Sequence, residues 1–106
     1  MLKVFISQPM SGRKEKEILA EREAIKTLFT AWSDDKEICF LESFIKGAEN
    51  VDPLFCLGCA ITDLSKADVV VFAPNWESAR GCLVEQYCCK KYNKQIVYID
   101  VEDLRG

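Results

Sequence analysis

The chain reads as a single α/β domain, with four parallel strands flanked by helices on both faces of the sheet. Three observations predict it. Short β-branched runs alternate with helical patterns from one end to the other, which is how crossover-connected parallel strands look in sequence. The third run, Val69-Val70-Val71-Phe72, has no polar face and is bounded by Asp68 and Pro74, as expected of a strand covered on both sides. The 106 residues contain no internal repeat and no linker, so residues 1–106 are taken as one domain.

Leu2 to Ser7 is the first apolar, β-branched run and the first strand. It ends in Gln8-Pro9-Met10-Ser11-Gly12, a loop of turn residues with a hydroxyl able to cap a helix. From Arg13 to about Trp32, the residues Ile18, Ile25, Leu28, Phe29 and Trp32 fall at helical spacing, with the charges between them facing solvent. Ser33-Asp34-Asp35 ends that helix, and Glu37 to Leu41 forms the second strand. Glu42 to Asp52 reads as loop with one helical turn at most. Pro53 then opens a short helix carried by Leu54, Leu57, Ile61 and Leu64. After the Val69 strand, Pro74-Asn75 breaks the chain and a helix runs from about Ser78 to Tyr92. Asn93-Lys94 turns it into the last strand, Gln95 to Ile99. The tail, Val101 to Gly106, is too short to assign.

Right-handed crossovers and a flavodoxin-like arrangement place the strands in the order 2-1-3-4. The switch point lies between strands one and three, where open parallel sheets bind their ligands. The loops Ser7–Gly12 and Pro74–Gly81 face each other there, and both carry hydroxyls, amides and a glycine beside a helix start. That chemistry suits an anionic or sugar-bearing ligand. The helix entering from this point carries Glu85. Within about 60° of it on the helical wheel lie Gly81, Cys82, Cys88, Cys89 and Tyr92, all small or apolar. A carboxylate centred on such a stripe either borders a pocket or reaches water past an exposed stripe. Its place at the switch point favours the pocket.

Composition narrows the class. Apolar residues at 49% and charged residues at 29% are ordinary for a folded domain. A net charge of −3 with mixed signs argues against a nucleic-acid polymer or an anionic membrane as partner. No apolar run reaches the length of a membrane span, and Met1-Leu2-Lys3 leads directly into a strand without a signal-peptide pattern, so the expected location is the cytoplasm. Six cysteines include Cys56-Leu57-Gly58-Cys59 and the vicinal pair Cys88-Cys89. With no histidine in the chain, neither pair makes a zinc site at the usual spacing, and half-buried reduced thiols are expected instead. No metal and no cofactor is predicted.

Two blocks of sequence carry a resemblance. VFISQPMSG at 4–12 resembles the VYISGPMSG-type opening of the nucleoside 2-deoxyribosyltransferase-like family, in particular a small branch of it. ADVVVFAPNWESARGCLVE at 67–85 is similar to its second block: a strand, a tryptophan-containing loop, then glycine and glutamate four apart. The resemblance implies cleavage of the N-glycosidic bond of 2-deoxynucleosides or their monophosphates, with Glu85 attacking the anomeric carbon. It implies a substrate-binding set of Phe5, Ser7, Gln8, Pro9, Met10, Ser11, Gly12, Asn75, Trp76, Ser78, Arg80 and Gly81. It also implies a homodimer or higher homo-oligomer, for which the Trp76 loop and Tyr92 offer apolar surface. Where the family has a tyrosine in the first strand this chain has Phe5, and where it has a glycine in the first loop this chain has Gln8. Ala60 and Ala79 stand where the family carries acidic or hydroxyl side chains.

Two functions are therefore expected in competition. One is a 2-deoxyribosyltransferase or deoxynucleoside (5′-monophosphate) N-glycosidase using Glu85. The other is a binding module that holds a nucleoside, nucleotide or nucleotide-sugar in the same crevice without turnover. The retained glutamate favours the first, and the four departures favour the second.

Overall fold

The computed structural model describes residues 1–34, 37–41 and 51–105. Its strands are β1 (Leu2–Ser7), β2 (Ile38–Leu41), β3 (Val69–Phe72) and β4 (Gln95–Tyr98). They form one parallel sheet in the order β2-β1-β3-β4, with Val4 opposite Val69 and Ser7 opposite Phe72. The helices are α1 (Glu15–Trp32), α2 (Pro53–Ser65), α3 (Arg80–Lys91) and α4 (Val101–Arg105). The predicted fold class and strand order are those observed. The expectation for Glu42–Asn50 lies outside the described residues.

Strand alternation divides the core into two layers. Val4 and Ile6 of β1 and Val69 and Val71 of β3 point to one face, where they meet Ile25 and Phe29 of α1. Leu104 of α4 packs on the same cluster, so the tail that sequence left unassigned closes this layer as a short helix. Phe5, Val70 and Phe72 point to the other face, against Leu64 of α2 and Cys89 of α3. All four residues of β3 are buried, as a strand sandwiched between helix layers requires.

Local chemistry fixes the element ends. Asp68 opens β3 and accepts the Lys3 backbone N–H at 2.8 Å, while its own N–H donates to Lys3 C=O. Asp52 caps α2 through the Leu54 N–H at 2.8 Å, with Pro53 as the first helical residue. Asn93, at φ 57°, turns the chain out of α3. Lys94 then reaches the carboxyl end of α2, donating to the carbonyls of Ser65 and Ala67.

Some sequence expectations shift. The helix expected from Ser78 starts at Arg80, because Trp76–Ser78 forms a separate 3-10 turn. Ser11 does not cap α1: the helix begins at Glu15, and Lys14 precedes it without a side-chain cap. The charges of α1 do not all face solvent, since Arg22 is 2% exposed. No helix among the described residues is long and apolar enough to cross a membrane.

Candidate functional site

The last residue of β1 and the one after it leave the sheet in opposite directions. Ser7 shares a face with Phe5 and meets α3; Gln8 turns to α1. The switch point therefore carries a polar cluster on each side of the sheet.

On the α3 side, the Ser7 hydroxyl donates to Glu85 Oε1 at 2.5 Å, and both residues are buried. The stripe of α3 turned to the sheet is Cys82, Glu85 and Cys89, spaced three and four apart. Cys89 packs with Phe5 one row deeper, so Glu85 and Ser7 form the top row of this layer. Burial pushes the Glu85 pKa up from 4.5 to about 7, and the Ser7 hydrogen bond works against that rise. Burial also pushes the Cys82 and Cys89 thiols up to about 11, and the neighbouring Glu85 charge adds to both shifts. These thiols stay protonated at neutral pH and are poor nucleophiles. The other carboxylate oxygen, Oε2, makes no hydrogen bond among the described residues, and Glu85 as a whole is 7% exposed.

A carboxyl group held at a raised pKa makes stability depend on pH. The native state keeps the Glu85 proton between pH 4.5 and about 7, where the unfolded chain has lost it. Stability thus falls as pH rises through that window, by about 3 kcal/mol. Glu85→Gln carries no such burden. Urea unfolding is expected to show the variant close to wild type at pH 4.5 and more stable than wild type at pH 8.

On the α1 side, Gln8 Nε2 donates to Ile18 C=O at 2.8 Å and to Glu21 Oε1 at 2.9 Å. Gln8 Oε1 accepts a long bond from Arg22 at 3.4 Å, and Arg22 also donates to Leu41 C=O at 3.3 Å. Both polar atoms of the Gln8 amide thus have partners within the protein. Arg13 donates to Pro9 C=O at 2.8 Å and to Glu21 Oε1 at 3.0 Å. Between them, the Arg13 N–H closes a turn onto Met10 C=O, with Gly12 at φ 76° in its third position. A side chain there would be strained, so this is where the loop needs glycine. Ser11 and Gly12 are exposed, Met10 is half-buried and Pro9 is buried.

The second loop is more structural than expected. Trp76 is half-buried, stacked on Tyr98 with ring centroids 5.5 Å apart and close to Phe72 at 5.3 Å. It seals the end of the core. Ser78 donates to Asn75 C=O at 2.7 Å, which braces the turn entered by Asn75 at φ 64°. Arg80 is exposed. Gly81 is half-buried on the first turn of α3, where an added Cβ would meet Leu57 only at 4.0 Å, so close helix packing does not demand a glycine. Phe5 is 1% exposed and fills the core below Ser7. Tyr92, expected on the Glu85 stripe, is 80% exposed because α3 ends one residue before it. Two clefts open on the described surface, one lined by Leu2, Phe29 and Trp32, the other by Asn75, Trp76, Tyr98 and Asp100; neither is lined by Ser7 or Glu85.

Glu21, Arg22 and Arg13 were not expected in the site. The signal for Arg22 is its spacing: Ile18, Arg22, Ile25 and Phe29 form one stripe, and all four are buried. All six cysteines are free, and no cluster among the described residues could hold a metal ion. No protein-family model, no curated protein and no solved structure matches the chain. Function is therefore argued from the site.

Proposed function

We propose that the protein is a nucleoside 2-deoxyribosyltransferase-like enzyme that cleaves the N-glycosidic bond of 2-deoxynucleosides or their 5′-monophosphates. The observation that carries this reading is Glu85: a buried carboxylate at the switch point, with Oε1 held by Ser7. Its Oε2 attacks the anomeric carbon, and the base departs with the electron pair of the broken C–N bond and takes up a proton. The sugar is left as an ester of Glu85. Water or a second base then attacks the same carbon and releases the carboxylate, as in retaining glycoside cleavage. The Ser7 hydrogen bond holds Glu85 in its rotamer and supports its ionised form. Ser11 and Gly12 of the first loop, and Arg80 at the start of α3, are exposed and would be free to meet such a ligand.

A second reading is a binding module for the same ligands. It is favoured by the 7% exposure of Glu85. A panel of deoxynucleosides and their monophosphates, assayed for free base by chromatography and for binding by calorimetry, separates the two. Base release supports the enzyme. Binding without release supports the module, and neither leaves a likeness of fold alone.

The proposal includes a homo-oligomer. Trp76, first expected to supply surface for it, is turned into the aromatic cluster. The outer side of the α2–α3 layer instead exposes Leu54 at 75%, Phe55 at 63% and Tyr87 at 61%, beside Leu83 and Val84. Sedimentation at tens of micromolar, roughly above ordinary interface affinities, is expected to give at least a dimer. Tyr87→Glu is expected to shift it toward monomer. A wild-type monomer at that concentration rules the oligomer out.

A further inference from the structure

One carboxylate oxygen ties down both ends of the loop that follows β1. Glu21 Oε1 accepts from Gln8 Nε2 at the loop's start and from Arg13 at its end. Arg13 adds a bond to Pro9 C=O, and Gln8 adds one to Ile18 C=O, so the clamp is anchored on α1 and closed across the loop. The Glu21 side chain is 18% exposed and that of Arg13 26%, which is more sheltered than an ordinary surface pair.

Pro9 to Gly12 is a short segment anchored by buried Pro9 and by the turn onto Met10 C=O, but its tip, Ser11 and Gly12, is exposed. Ordering it when a ligand arrives would cost affinity; ordering it in advance removes that cost from binding. The opposite charges of Arg13 and Glu21 also offset each other, so the clamp adds no net negative charge next to a loop suited to anions.

We propose that Glu21 is a positioning residue of the site: by holding Gln8 and Arg13 on one oxygen, it presets the ligand-facing loop 9–12 without touching the ligand. This rests on the reading of that loop as ligand-facing. Glu21 acts on binding, whereas Ser7 and Glu85, on the other side of the sheet, act on the reacting bond.

The test compares wild type, Glu21→Ala, Glu21→Gln and Arg13→Ala by ¹⁵N relaxation and by steady-state kinetics on whichever deoxynucleotide the wild type cleaves. In Glu21→Ala, the order parameters of Met10, Ser11 and Gly12 are expected to drop from about 0.85 to below about 0.6. KM should rise about tenfold while kcat stays within about threefold, the pattern of lost binding rather than lost chemistry. Glu21→Gln keeps an oxygen that accepts from both donors and should restore both readouts. Should Glu21→Ala fail to fold, Arg13→Ala removes the bonds to Glu21 and Pro9 C=O while leaving Gln8 on Glu21, and is expected to mobilise Ser11 and Gly12. Unchanged order parameters in the folded variants overturn the proposal, as does a fall in kcat at constant KM. If wild type cleaves no deoxynucleotide, the functional reading fails by itself, and the relaxation data still decide whether Glu21 presets the loop.

Discussion

Glu85→Gln is expected to abolish base release, by roughly 10⁴-fold or more, while the protein stays folded. The amide matches the carboxylate in size and can still accept the Ser7 hydroxyl proton, but it cannot attack an anomeric carbon. The accompanying signature is the pH profile of wild type. Attack needs the ionised form, and burial holds the Glu85 pKa at about 7. Turnover should therefore climb as pH rises through about 7 and level off above it. Ser7→Ala removes the hydrogen bond that works against the upward shift, so its profile should move to higher pH. Base release that survives in Glu85→Gln removes Glu85 from the mechanism.

The largest expected loss of stability comes from Arg22→Ala. Arg22 is among the largest fully buried side chains of the fold, and it reaches both Gln8 Oε1 and Leu41 C=O from the middle of the α1 stripe. Truncation leaves a cavity between α1 and the sheet and withdraws donors from those two acceptors. A cost of about 3–5 kcal/mol is expected. In a domain of this size that lowers Tm by roughly 15 °C or more. Arg22→Met keeps most of the volume and loses only the donors, so thermal unfolding should place it between Ala and wild type. A variant with Ala that melts within a few degrees of wild type would show that the buried guanidinium adds nothing net to stability.

The fold was legible because its signals are backbone-scale. Four apolar runs and the helical patterns between them impose parallel strands, and right-handed crossovers leave little freedom in their order. Boundaries were less legible where turn chemistry competes with helix, as at Trp76–Ser78. In the site, Glu85 was visible because its neighbours on the helix are small or apolar. The clamp on the other side was not, because Glu21 and Arg22 lie among many charges and were read as a solvated face. Yet Arg22 occupies in α1 the place that Cys82 holds in α3, as Ile25 matches Glu85 and Phe29 matches Cys89. Each helix buries one charged residue in an otherwise apolar stripe. Periodicity locates such a residue; only the structure supplies its partners. The burial of Phe5 was hidden for a related reason: alternation fixes its face, but its depth depends on Phe72 and Cys89 packing around it.

Asp68 and Pro74 enclose a segment that is harmless only while the domain is folded. Val69 to Ala73 is uncharged, β-branched at three of its five positions and almost wholly buried. Released by heat, such a segment pairs with its copies on other chains and seeds aggregation. The flanking charge and the imino acid act as gatekeepers, since one repels stacking and the other cannot donate a ladder bond. Thermal unfolding should therefore become less reversible when Asp68 is replaced by Asn, even under conditions where the native state is barely weakened.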